Sequence, residues 1–145
     1  TEDMIQKYRG KISGPLLDRI DIQIEVCPVK YSKLESEEKV ETSKEIKQRV
    51  NKARNIQINR YKEYGIFSNS ELTPALIGKY CKLNLESRSL LEKAFEKFGL
   101  TARAYGRILK VARTIADLEQ ADDIEVTHIA EAIQYRSLDK NNNIK

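Results

Sequence analysis

Thr101-Ala102-Arg103-Ala104-Tyr105-Gly106-Arg107-Ile108-Leu109-Lys110-Val111-Ala112-Arg113-Thr114-Ile115-Ala116-Asp117-Leu118 reads as one long helix opened by Thr101. Its apolar positions, Tyr105, Ile108, Leu109, Ala112, Ile115, Ala116 and Leu118, recur at helical spacing and form a wide stripe. A helix with so broad an apolar face is expected at the centre of a bundle, ending at Asp122 and Asp123. Arg103, Arg107 and Lys110 follow one another at spacings of four and three, so they share a face. Arg103 also falls in the first turn, where free N–H groups and the helix dipole already favour an anion. A phosphate arriving there would meet positive charge and donors together. The alternative is a solvated polar face on an amphipathic helix.

The segments on either side are also helical. Thr42 and Glu45 match a capping box, followed by a stripe of Ile46, Val50, Ala53, Ile56 (or Gln57) and Tyr61 that runs toward Gly65. Thr73-Pro74 is an N-cap followed by proline at the first helical position, and it opens a short helix through Leu76, Ile77 and Tyr80. Asn84 can cap a further helix carrying Leu90, Leu91, Ala94, Phe95 and Phe98, with Gly99 as its stop. Thr127 is expected to cap a last helix with Ile129, Ala130 and Ile133, and His128 to serve that helix start structurally. The helix from Thr42 to Tyr64 is rich in lysine and arginine interleaved with Asn51, Asn55 and Asn59. Such a face could track a nucleic-acid backbone, although exposed charged helices are commonly just solvated.

Upstream of Pro28 the pattern changes. In Ile12-Ser13-Gly14-Pro15-Leu16-Leu17-Asp18-Arg19-Ile20-Asp21, Pro15 favours the first turn of a short helix, and Leu16 and Leu17 can anchor it. Ile20, Ile22, Ile24 and Val26 then alternate with Asp21, Gln23 and Glu25, the signature of a strand with one buried face. Arg19 stands at the corner between turn and strand. A guanidinium held there suits bidentate capture of a phosphate or carboxylate, or a pair with Asp18 or Asp21. One strand cannot satisfy its own backbone groups. It is therefore expected to belong to a sheet completed elsewhere, and the chain reads as a fragment. The expected organisation is a core fragment over 1–30, a linker over 31–41, a helical domain over 42–138 and a frayed tail over 139–145.

The chain has 145 residues, 40% of them hydrophobic and 33% charged, with a formal net charge of +4, which permits an anionic partner without demanding one. No apolar run approaches a membrane span, and the N-terminus lacks a signal region. Cys27 and Cys81 are isolated thiols beside a single histidine, so neither a disulfide framework nor a metal site is expected, and a reduced cytoplasmic setting is. No Ser-His-Asp or Cys-His arrangement emerges. There is no GxxxxGK[ST] loop to cradle phosphates, so the chain alone is not expected to hydrolyse a nucleotide.

Two segments together, Tyr8 to Asp21 and Thr101 to Leu118, resemble the C-terminal part of magnesium chelatase-like AAA+ ATPases, most nearly the bacterial YifB/ComM competence-protein branch. The resemblance implies a mostly α fold: a helical-bundle AAA+ lid domain, preceded by a short turn and one orphan β-strand from a truncated αβα core. It implies a parent protein that binds ATP and Mg2+ and assembles copies of itself into a ring, typically a hexamer. DNA processing is the implied task and DNA the implied further partner. Arg19 matches the arginine finger, which reaches the γ-phosphate held by the next subunit. Arg103 matches the sensor-2 arginine, which contacts nucleotide phosphates in its own subunit, and Arg107 on the same face is the other candidate for that contact. The Walker A and B segments are absent here, so the chain alone is expected to hold no cofactor and to be inactive. A basic helical module that binds nucleic acid without ATP is the alternative reading.

Overall fold

The structure is a computed structural model that describes residues 4, 7, 8, 10–17, 19–28 and 40–136. Asp18, residues 31–39 of the expected linker and the 139–145 tail lie outside the described residues. The fold is mostly helical. A single turn, α1 (Gly14–Leu17), is followed by α2 (Ser43–Tyr61), α3 (Pro74–Tyr80), α4 (Leu85–Phe98), α5 (Ala102–Leu118) and α6 (Val126–Gln134). Two 3-10 turns, Lys62–Tyr64 and Asn69–Glu71, fill the bend between α2 and α3.

Local chemistry sets most helix starts. Thr42 Oγ1 accepts from the Glu45 N–H while Glu45 Oε2 accepts from the Thr42 N–H at 2.8 Å, which is the capping box in full. Thr73, Asn84 and Thr101 each accept from the amide three residues on. Gly99 ends α4 with φ of +58°, a left-handed conformation that glycine adopts without steric cost. Two boundaries differ from expectation. Helix α5 ends at Leu118, before Asp122 and Asp123, because Gln120 takes a φ of +60° and turns the chain. Helix α6 is capped at Glu125 rather than Thr127: the Glu125 N–H donates to His128 Nδ1 at 2.9 Å. The buried His128 ring contacts Glu119 Oε2 through Nε2 at 2.9 Å, so it fastens the α5–α6 connection.

Helix α5 is the hub. It packs against α2, α3 and α6, and α4 lies on α6. Ile108, Leu109, Ala112, Ile115 and Ala116 are buried as their spacing predicts and Ala104 joins them, whereas Leu118 is half-buried and Tyr105 stays 45% exposed and meets Phe95 edge-to-face. Ile108, Leu109, Ala112 and Ile115 form one core with Tyr61, Leu72, Leu91, Ile124, Ile129 and Ile133. On α2 only Ala53, Gln57 and Tyr61 are buried; Ile46 and Val50, expected in the stripe, are exposed, because the first half of α2 extends beyond the bundle.

The same core holds a polar knot. Asp117, with no exposed surface, accepts from Arg60 through two bonds of 2.7 and 3.0 Å, from Arg113 Nε at 3.1 Å and from Asn69 Nδ2 at 2.8 Å. Arg113 also donates to the carbonyls of Ala121 and Asp122, which follow the end of α5. Asn69 Oδ1 accepts from Tyr61 Oη at 2.6 Å. The knot therefore fixes α2, the Asn69–Glu71 turn and α5 to one another, with each buried charge compensated.

The expected orphan strand is not found as a strand. Among the described residues, pairing in this segment is a single parallel bridge, Gln23 to Arg136. Gln23 is buried against the bundle, while exposure rises from 39% at Ile20 to 83% at Val26 along the apolar positions.

Candidate functional site

Three arginines carried the sequence argument, and the structure places each differently. Arg19 follows α1 at an exposed corner. Its N–H donates to Leu16 O at 3.0 Å and its Nη1 donates to Pro15 O at 2.7 Å, so the guanidinium is steadied by the turn it leaves. It does not pair with Asp21, because Asp21 is taken by another partner. That partner is Arg107, whose Nη1 donates to Asp21 Oδ1.

Arg103 lies in the first turn of α5, exposed, with no hydrogen bond or ion pair among the described residues. Lys110, on the same face, donates through Nζ to Ser70 O at 2.8 Å. The face predicted by spacing exists, but its three cations are not equivalent: Arg107 is bound to Asp21, Lys110 to a loop carbonyl, and Arg103 projects into solvent. Of these, Arg103 is the guanidinium able to accept an external anion without first breaking an internal contact.

Three residues that the sequence did not mark for this role, Asp21, Gln23 and Arg136, hold this site together. Asp21 joins the arginine corner to α5. Gln23 donates its backbone N–H to Tyr135 O at 2.7 Å and its side-chain amide to Leu17 O at 3.3 Å. Arg136, 2% exposed, donates from Nη1 to Ile20 O at 3.1 Å. The available signal was a polar residue inside an apolar alternation: Gln23 is buried between isoleucines that are not.

The two cysteines differ sharply. Cys27 is exposed, whereas burial pushes the Cys81 thiol up to about 11. Near the α2–α3 bend, Lys79 Nζ contacts Tyr64 Oη at 2.6 Å, and this contact draws the Tyr64 hydroxyl below its usual range. Among the described residues no group of three or more histidine, cysteine or acidic side chains could hold a metal ion, and no helix is long and apolar enough to cross a membrane.

With this geometry in place, comparison with known proteins is decisive. Residues 40–136 match the family model "Magnesium chelatase, subunit ChlI C-terminal", and residues 1–34 match "Magnesium chelatase, subunit ChlI". The chain belongs to the magnesium chelatase ChlI family. Its relatives include the competence protein ComM of Haemophilus influenzae, 42% identical over 135 residues, 92% of this chain and 26% of ComM. Others are the YifB proteins of Escherichia coli, 39% identical over 142 residues, and of Salmonella typhimurium, 38% identical over 141; each match covers 97% of this chain and 27% of the relative. The chain thus spans about a quarter of the length of these relatives. Within this ChlI-family chain, Arg19 falls in the 1–34 segment, and Arg103 and Arg107 in the 40–136 segment.

Proposed function

We propose that this chain is the arginine-finger segment and lid of a ring-forming, Mg2+-dependent AAA+ ATPase that acts in DNA processing in the cytoplasm. In this reading residues 1–30 close the αβα core, 31–41 link it to the lid, and 42–138 are the lid. Arg19 reaches the γ-phosphate of ATP bound by the neighbouring subunit, and Arg103 contacts phosphates bound by its own. A guanidinium aimed at a transferring phosphoryl group stabilises the charge that develops there.

The observation that carries this reading is the pairing of two exposed guanidiniums on separately matched segments. Arg19 is held at a corner by Pro15 O, and Arg103, in the first turn of the central helix, has no partner among the described residues. Such groups fit nucleotide phosphates. Bound ATP would supply the phosphoryl group and Mg2+ the screening of its charge. In the full-length protein, Arg19→Ala should lower ATP turnover by about three orders of magnitude while leaving ATP binding within a few-fold. Unchanged turnover would remove Arg19 from the reaction.

A second reading is favoured by one surface. Lys44, Gln48, Asn51, Asn55 and Asn59 line a solvent face of α2 that Lys62 continues into the 3-10 turn, all exposed, with no carboxylate among them. Lysines and side-chain amides in a row can follow a phosphate backbone. If α2 binds DNA, retention of duplex DNA by this chain should fall steeply with salt. It should also be lost in Lys44→Glu/Lys62→Glu. Absence of binding at low salt would dismiss this role.

A further inference from the structure

We infer that Arg136 is a positioning residue for Arg19, so that the lid, rather than the core alone, holds the arginine finger in place. The inference rests on the proposed role of Arg19 and assigns a residue 117 positions away in sequence a part in it.

The corner that carries Arg19 is a short loop of chain held by named bonds. Within the loop, the Arg19 N–H donates to Leu16 O and the Ile20 N–H to Leu17 O, each at 3.0 Å. From outside, Arg136 Nη1 donates to Ile20 O, the carbonyl of the residue that follows Arg19. Gln23, bridged to Arg136 and bonded to Tyr135 O, returns its amide to Leu17 O on the other flank. The corner is thus gripped on both sides of Arg19 by residues anchored at the C-terminal end of α6. Leu17 is buried at 6% exposure beneath it, and Asp21 adds a further tie to Arg107 on α5.

Burying a guanidinium is costly unless its donors are used. At 2% exposure Arg136 is among the most buried side chains of the chain, and one of its donors serves the carbonyl beside Arg19. A leucine would fill such a site at no charge cost, but it could not hold a carbonyl in place. The apolar side of the same segment, Ile20 to Val26, is solvent-exposed here, so apart from the buried Leu17 the contacts that locate the corner in this chain are polar ones to the lid. Movement of α6 would therefore carry the finger with it.

The test is steady-state ATP hydrolysis and nucleotide binding by the full-length protein. Arg136→Gln should lower kcat at least tenfold with KM and nucleotide affinity within twofold of wild type, the split expected when a finger acting on another subunit is misplaced. Arg136→Lys, whose longer side chain brings a donor nearer to Ile20 O than the glutamine amide can come, should recover most of that loss. Arg136→Gln combined with Arg19→Ala should be no slower than Arg19→Ala alone, since a finger that is absent cannot be misplaced. If Arg136→Gln fails to fold, Gln23→Met removes the grip on Leu17 O and should show the same kcat loss. Wild-type kcat in the Arg136 or Gln23 variant, or losses that multiply in the Arg19→Ala background, overturns the inference. Wild-type turnover in Arg19→Ala overturns the reading of Arg19 beneath it instead.

Discussion

Asp21 and Arg107, 86 positions apart in the chain, are joined by an ion pair that ties the segment carrying Arg19 to the central helix α5. The two side chains are partly exposed, so the pair contributes no more than about 1 kcal/mol to stability. Its weight lies in selection: it occupies Arg107 and leaves Arg103 as the open guanidinium of that face. In the full-length protein, Arg103→Ala should weaken ATP binding about tenfold or more, and Arg107→Ala much less, with titration of a fluorescent ATP analogue as the measurement. The reverse order would place the phosphate on Arg107 and require Asp21 to release it.

Asp117 should be the most sensitive position of the fold. Asp117→Ala would leave the buried Arg113 and the half-buried Arg60 without their carboxylate, and Asn69 Nδ2 with Thr114 Oγ1 as its remaining acceptor. Breaking a buried charge network by removing one partner costs about 3–5 kcal/mol. Urea denaturation of the variant should show a loss of that size; a loss below about 1 kcal/mol would mean that water enters and compensates the arginines.

His128 makes a smaller and more local claim. His128→Ala removes the acceptor for the Glu125 N–H and leaves a void beside α5 and α6. A loss of about 1–3 kcal/mol is expected, with the helical circular-dichroism signal retained before unfolding. His128→Asn, which keeps a carbonyl acceptor near the helix start, should recover part of it.

Much of this architecture was legible because helix ends are decided by neighbours. Thr42 with Glu45, Thr73 with Pro74, Asn84, and Gly99 each act within a few residues of themselves, so local pattern suffices. The polar knot was not legible in that way. Arg60 and Asp117 meet across 57 positions, and in a charged helix an arginine reads as solvated until its partner is known. Arg113 and Asp117 did offer a hint: they are an i,i+4 pair lying beside Ala112 and Ala116, on the apolar side of α5. The segment after Arg19 misled for a different reason. Alternation reveals two faces but not which face the rest of the molecule covers, and here the Gln23 face meets the bundle. For the candidate site, the arginines were visible from spacing, whereas the residues that arrange them, Asp21, Gln23 and Arg136, act through tertiary contacts.

The thiols provide a pH-dependent check. Burial raises Cys81 from its ordinary value near 9 to about 11, so the folded protein keeps a proton that the unfolded chain releases. The corresponding stability is fully present below pH 9 and is lost as pH rises through 11. At pH 8 a thiol reagent should modify exposed Cys27 rapidly and Cys81 only on unfolding. Equal rates at both cysteines would show that the core around Cys81 opens readily.

The exposed row of Ile20, Ile22, Ile24 and Val26 has a practical consequence for handling the protein. Extended β-branched residues open to solvent are the template on which loose strands add to one another. A chain produced with this row uncovered should self-associate as concentration rises, and charges at Asp21 and Glu25 are the only brakes within the row itself. Cutting ahead of Val40 would remove the template, but it would take the arginine corner, Arg19 included, with it and leave Arg136 without the Ile20 carbonyl that it holds. The colloidal behaviour of the piece and the integrity of the arginine corner therefore pull the choice of boundary in opposite directions.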